Sequence, residues 1–247
     1  MTRHRGVGRD DAWIASYPRS GSTWLRFMLA ELLVHRSEFE SVNRAIPGVG
    51  HHRAAPRLVG RGRLIQTHEL QSDRGNTAIY LVRDVRDVAL SEYASTLRAG
   101  ADWSFDRFLD PFLAGRLDTF GPWHRHVTHW LNGRAARKGN LLLLRYEDLR
   151  SDPGGHLSLV ARFLGLEATA DRIEAAVEAN SIEAMRAKER RAPEDTFVKV
   201  RRDMTFVREG RTGGWRAALT RRQIDRIGSA TGPILALLGY ETPERVC

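Results

Sequence analysis

Tyr17-Pro18-Arg19-Ser20-Gly21-Ser22-Thr23-Trp24 places hydroxyl side chains, a glycine and a guanidinium within a few consecutive residues. If such a loop joins a strand to a helix, it collects free backbone N–H groups and the positive end of the helix dipole. That combination binds anions. Gly21 lets the backbone approach the ligand closely, Ser20, Ser22 and Thr23 offer hydroxyls, and Arg19 adds charge. The plain alternative is an ordinary strand-to-helix turn with a serine cap.

Other residues could complete such a site. Arg83 closes the apolar run of residues 77–82, and Ser91 lies two turns into the following helix. An arginine at a strand end and a serine on that helix can converge on one anion. Asp84, Arg86 and Asp87 read as a solvated, salt-bridged first turn. Nine histidines are available as bases near neutral pH. His68 ends the strand-like run of residues 64–67, on the same sheet edge as the anion loop, and Glu69 beside it is expected to face the other way. His124, His126 and His129 share one segment with Trp123 and Trp130, which suits pocket lining or a helix surface better than a metal site.

The elements that must position these residues follow from the hydrophobic pattern. Residues 12–17 read as a short buried strand, and 22–35 as a helix with apolar positions at Leu25, Met28, Leu29, Leu32 and Leu33. Residues 36–62, rich in Gly, Pro, His and Arg, read as a long functional loop. Strands are expected at 63–67 and 77–82, a helix near 86–98, and one or two helices within 103–138. The near-continuous apolar run at 140–145 predicts a strand buried on both faces. Helices follow near 153–165, 169–179, 181–190 and 220–238, with a charged loop over 191–215. Strands alternating with helices predict an α/β fold with one central parallel sheet flanked by helices. Ligands bind such sheets at the carboxyl ends of the strands.

Bulk properties narrow the class. The 247 residues suit one domain, with 1–11 expected as a disordered tail and 12–247 as the domain. No run approaches a membrane span, and the polar start carries no signal-peptide pattern. The single cysteine, Cys247, excludes an internal disulfide framework. A cytoplasmic protein is expected. The net charge of +9 favours an anionic partner, and almost all the basic residues are arginines, which suits a GC-rich genome. Two rivals arise here. A P-loop kinase needs Gly, four residues, then Gly-Lys-Ser/Thr, and this loop has no Gly-Lys pair. A nucleic-acid-binding protein is suggested by charge alone, with no recognition motif, and no nucleic-acid partner is expected.

The loop resembles the 5′-phosphosulfate-binding loop of the cytosolic-type sulfotransferases, Tyr-Pro-Lys-Ser-Gly-Thr-Thr-Trp. The match runs through Tyr17, Pro18, Ser20, Gly21, Thr23 and Trp24, with Ser22 for Thr and Arg19 for Lys. Arg83 and Ser91 match the family's 3′-phosphate ligands in an Arg-x-x-x-Asp-x-x-x-Ser spacing. Residues 206–216 are similar to its nucleotide-closing loop, Arg-Lys-Gly-x-x-Gly-Asp-Trp-Lys, with Arg208 and Gly210 matching, Glu209 for Lys and Gly214 for Asp. Tyr146-Glu147-Asp148-Leu149 and Ser181-Ile182-Glu183-Ala184-Met185 resemble its adenine-side segments. His68 matches its catalytic histidine in Lys-Thr-His, with Gln66 for the lysine.

The resemblance implies a P-loop-like sulfotransferase fold. It implies sulfuryl transfer from 3′-phosphoadenosine 5′-phosphosulfate (PAPS) to a hydroxyl or amine of a small molecule, with a natural product as the favoured acceptor, 3′-phosphoadenosine 5′-phosphate (PAP) as product and no metal. His68 is then the general base. Arg19 is catalytic and contacts the transferring group. The donor contacts are Arg19, Ser20, Gly21, Ser22, Thr23, Trp24, Arg83, Ser91, Tyr146, Ser181, Arg208, Glu209 and Gly210. Residues 36–62, 100–130 and 186–206 would shape the acceptor pocket; their aromatic residues favour an apolar or aromatic acceptor.

Overall fold

In this computed structural model the described residues are 3–70, 75–192, 205, 207 and 210–242. Arg208, Glu209 and Phe197 lie outside them.

The chain forms a parallel sheet of four strands in the order β2-β1-β3-β4, with β1 Ala12–Ser16, β2 Leu64–Thr67, β3 Thr77–Val82 and β4 Leu141–Arg145. Successive side chains of a strand point to opposite faces. Trp13, Ala15, Ala78, Tyr80 and Val82 therefore share one core. The other core takes Ala12, Ile14, Ile79 and Leu81. α3 Val85–Arg98, α4 Phe105–Leu113, α5 Trp123–Leu131, α6 Arg134–Arg137, α11 Trp215–Ala218 and α12 Arg221–Leu237 cover the first face. The second is covered by α1 Ser22–Val34, α2 Phe39–Ala45, α7 Tyr146–Ser151, α8 Pro153–Phe163, α9 Ala170–Glu178 and α10 Ile182–Arg191. Among the described residues no helix is long and apolar enough to cross a membrane.

Four expectations need correction. The run at 140–145 is not buried on both faces: β4 lies at the sheet edge, and Leu143 is 39% exposed. Residues 36–62 are not wholly irregular. Phe39, Val42 and Ala45 give α2 an apolar stripe that packs on α1, and Phe39 meets Phe27 edge-on at 4.8 Å. Residues 103–138 form three helices rather than one or two.

Nor are residues 3–11 a loose tail. Val7 is buried, Arg3 pairs with Glu69 at 3.0 Å, and Asp11 is 1% exposed. The Asp11 carboxylate accepts from Arg63 Nη2 at 2.6 Å, from the Arg63 N–H at 2.7 Å and from the Gly8 N–H at 2.8 Å. Burial pushes this carboxyl up, but the hydrogen bonds from Arg63 and Gly8 outweigh it and hold the pKa below the ordinary value. Its stabilising contribution is therefore full above the unfolded carboxylate pKa and fades as pH falls through the lower folded value. Asp11→Ala leaves the half-buried Arg63 without its carboxylate, with only His52 O and Gly6 O as acceptors, and is expected to cost about 3 kcal/mol, read as a lower urea midpoint.

Candidate active site

The register brings the strand ends level. Ala15 pairs with Thr67, Ser16 with Leu81, and Val82 with Arg145. Tyr17, His68, Arg83 and Tyr146, each the residue after a strand, consequently lie along one carboxyl edge of the sheet.

Tyr17 to Gly21 turns tightly into α1. Arg19 and Gly21 take left-handed conformations, with φ of 65° and 96°. The helix begins without a side-chain cap. The Trp24 N–H donates to Gly21 O at 3.0 Å, while the N–H groups of Gly21, Ser22 and Thr23 meet no acceptor among the described residues. Ser20 is wholly buried, and its Oγ has no hydrogen-bond partner there. A buried hydroxyl without a partner is costly. Ser20 directly precedes Gly21 and the open amides of the α1 start, where an anion cradle binds.

Arg19 does not extend along the cradle. Its Nε donates to Ser91 Oγ at 3.4 Å and lies 3.8 Å from Glu92 Oε2 on α3. Burial raises the Glu92 carboxyl, Arg19 opposes the shift, and Asp118 adds to it. Arg83 donates from Nη1 to Arg19 O at 3.2 Å and from Nη2 to Arg211 O at 2.9 Å. It lies 4.5 Å over the Tyr146 ring, and its buried Nε has no acceptor among the described residues. Arg83 and Ser91 thus both engage Arg19, one at its backbone and one at its side chain.

The aromatic side of the cradle is built by Tyr146 and Trp24, edge-to-face at 6.3 Å. Tyr146 OH donates to Gly210 O at 3.2 Å, which ties the closing loop to α7. Trp24 Nε1 donates to Asn180 O at 2.8 Å. Ser181 caps α10 by accepting from the Ala184 N–H at 3.3 Å.

The first turn of α3 is not solvated, contrary to expectation: Asp84, Arg86 and Asp87 are all buried. Asp84 caps the helix and takes Arg86 as a bidentate partner at 2.9 and 2.6 Å. Arg86 stacks 3.6 Å over Trp215. Asp87 accepts from the Gly213 N–H at 2.7 Å and the Trp215 N–H at 3.0 Å. The C-terminal loop is thereby fixed to the first turn of α3, and Arg83 holds the same loop at Arg211 O. The sequence signal for this is Asp84 at an N-cap position before α3; Trp215 arrives from a distant segment.

His68 is half-buried, with its ring 5.8 Å from Phe120. Its Nδ1 lies 2.8 Å from Ser16 O. A carbonyl only accepts, so Nδ1 carries the proton and Nε2 keeps its lone pair. Burial lowers its pKa to about 4, the bond to Ser16 partly opposes the shift, and Arg26 and Arg19 add to it. The ring is neutral at pH 7 with a basic Nε2.

His126 differs from the expected pocket-lining or surface role. It is wholly buried in the α5 stripe Trp123, His126, Val127 and Trp130. The helical period already places it beside those three apolar residues. Phe108, Phe112 and Trp123, expected near the acceptor, are core residues. Among the described residues of that group, Phe120 is the one placed against the His68 ring by a ring contact.

Residues 9–239 match the family model described as the sulfotransferase domain. Sulfotransferase 1 family member D1 of Rattus norvegicus is 28% identical over 242 residues, covering 88% of this chain and 80% of that protein. Sulfotransferase 1A1 of Bos taurus is 27% identical over 235 residues, covering 85% and 78%. Among solved structures, retinol dehydratase in complex with retinol and PAP superposes with a TM-score of 0.72 at 21% identity, covering 94% of this chain and 83% of that one. Mouse SULT7A1 complexed with PAP gives 0.69 at 21% identity, covering 92% and 84%. With its parallel sheet, its uncapped helix start and a match spanning nearly its whole length, the chain belongs to the sulfotransferase domain family.

Proposed function

We propose that this enzyme transfers the sulfuryl group of PAPS to a hydroxyl or amine of a small, aromatic-containing acceptor. The observation that carries the reading is the meeting of a neutral histidine with a free Nε2 and an anion cradle on one sheet edge. The donor supplies an electrophilic sulfur on a phosphate leaving group. The residues fit it: the orphaned Ser20 Oγ and the open amides of Gly21, Ser22 and Thr23 suit its 5′-side. Arg83 and Ser91 suit its 3′-phosphate, Trp24 and Tyr146 its base, with Ser181 at the same end. Gly210, with Arg208 and Glu209 outside the described residues, would close over it.

In the proposed step the acceptor O–H or N–H proton passes to His68 Nε2 as the acceptor–sulfur bond forms. The bridging sulfur–oxygen bond breaks, and PAP leaves. Ser16 O stabilises the Nδ1–H of the resulting imidazolium. The α1 N-terminus stabilises charge growing on the departing phosphate, a preorganised electrostatic effect, and Arg19 would join it on turning from Ser91 and Glu92 toward the cradle. Phe120 supports an aromatic acceptor, and a natural product remains our preferred source.

The test is mass spectrometry of a panel of hydroxylated aromatic metabolites with PAPS, with chelator present. A sulfuryl mass increment is expected. Transfer from ATP and magnesium instead would overturn the reading. Arg83→Met removes a charged hydrogen-bonding group, and the Kd for PAP is expected to rise by about 10- to 100-fold, measured by calorimetry.

A further inference from the structure

We infer that His126 and Tyr80 act as positioning residues for His68. Tyr80 OH donates to His126 Nδ1 at 2.9 Å, and His126 Nε2 stands 2.8 Å from the His68 carbonyl. The hydroxyl proton on one side and the carbonyl on the other fix the imidazole: Nδ1 accepts and Nε2–H donates. Both side chains are wholly buried. A relay of two hydrogen bonds thus runs from the middle of β3 to the backbone of His68.

This relay locks one peptide plane. His68 lies one residue past the end of β2, so the sheet ladder no longer holds it. The next N–H, that of Glu69, donates to Thr67 Oγ1 at 2.9 Å, and the His68 carbonyl on the same plane takes the His126 proton. The ring is anchored separately through Nδ1 to Ser16 O at 2.8 Å. With both edges of the plane and one ring nitrogen fixed, Nε2 has little angular freedom left. His126 itself cannot tilt: it is stacked with Tyr80 at 5.8 Å and met edge-on by Tyr17 at 5.5 Å. Trp130 stacks on the other part of Tyr80 at 5.7 Å.

A neutral imidazole in the hydrophobic core is a poor choice for packing alone, since burial lowers its pKa to about 4 and its two nitrogens both demand partners. Its cost is intelligible if the oriented N–H serves His68. Pre-set orientation is worth about 10²-fold per ångström of misplacement in favourable cases.

The inference rests on the sulfuryl-transfer reading, and the experiment separates the two. His126→Leu, His126→Gln and Tyr80→Phe are compared with wild type in 15N-histidine-labelled protein saturated with PAP. Long-range 1H–15N spectra report the His68 tautomer. Transfer from PAPS to 2-naphthol, or to the best acceptor of the panel, reports kcat and KM. His126→Leu is expected to lose the single Nδ1–H form of His68 and about 10- to 100-fold in kcat, with acceptor KM and PAP Kd unchanged. Glutamine, whose amide N–H can reach the same carbonyl, is expected to restore most of kcat. Tyr80→Phe, which frees the His126 tautomer, should fall between. If His126→Leu does not fold, the glutamine and Tyr80→Phe variants carry the same comparison. Unaltered His68 spectra and kcat in the variants would overturn the inference. So would a loss of kcat matched by an equal loss of PAP affinity. A wild type that shows the Nδ1–H tautomer, and its loss in the variants, yet transfers nothing from PAPS would instead defeat the sulfuryl-transfer reading and leave the structural link standing.

Discussion

His68→Ala is expected to lower kcat for sulfuryl transfer by about 10²- to 10⁴-fold and to leave the Kd for PAP at its wild-type value. The split follows from the geometry. His68 hydrogen-bonds to Ser16 O and borders Phe120, whereas the cradle is built by Ser20, Gly21, Arg83 and Tyr146. Removing the ring takes away the proton acceptor without touching the anion contacts. The pH dependence gives a second reading of the same group. Burial sets the His68 pKa near 4, so the ring is neutral and competent at pH 7. As pH falls through that value, Nε2 gains a proton and the rate declines. The acid limb of kcat/KM is expected near 4, well below the ordinary histidine value of 6.5. Stopped-flow or discontinuous assays from acid to neutral pH locate it. Full activity in the alanine variant would remove His68 from its role, and an acid limb at the ordinary value would show an exposed base elsewhere.

Gly21→Ala is expected to raise the Kd for PAP by at least about 10²-fold, the equivalent of roughly 2.7 kcal/mol, and to lower Tm. Two effects combine. The backbone at Gly21 has φ of 96°, a left-handed conformation that costs a side-chain-bearing residue roughly 1–2 kcal/mol. A Cβ there would also lie 2.7 Å from Tyr146 Cε2 and closer still to Cδ2. The tyrosine has nowhere to retreat: Arg83 covers its ring at 4.5 Å, and its hydroxyl holds Gly210 O at 3.2 Å. The clash therefore spreads to the strand-end arginine and the closing loop together. The double variant Gly21→Ala with Tyr146→Ala relieves the contact but not the φ strain, and is expected to recover part of the lost Tm. Calorimetry of PAP binding and thermal unfolding measure both terms. Wild-type PAP affinity in Gly21→Ala would show that neither the loop conformation nor its contact with Tyr146 matters to the nucleotide.

Much of the anion loop was legible because its signals are local. An apolar strand, a Pro-Gly turn and a helix period are short-range patterns, and β3 runs over the expected 77–82. Arg83 and Ser91 fall at the expected strand end and on the helix after it because those positions are set locally. α2 was hidden by the Gly, Pro, His and Arg around it, although its stripe of Phe39, Val42 and Ala45 was present. Leu141 to Leu144 gave a doubly buried signature because strand hydrophobicity does not encode rank in the sheet. His126 was misjudged because its partners, Tyr80 and the His68 carbonyl, are 46 and 58 residues away.

The fold class, the loop that can hold an anion and the candidate base were readable from residue order alone. These depend on periodicity, turn chemistry and residue type, which act over a few residues. The electrostatics came from contacts made in the folded chain. Folding turned Arg19 toward Ser91 and Glu92, buried Asp84, Arg86 and Asp87 with Arg86 stacked on Trp215, and left His68 a neutral imidazole with its proton on Nδ1. The physical reason is that charge state and orientation depend on burial and on partners brought together from distant segments, and those arise only when the sheet edges align.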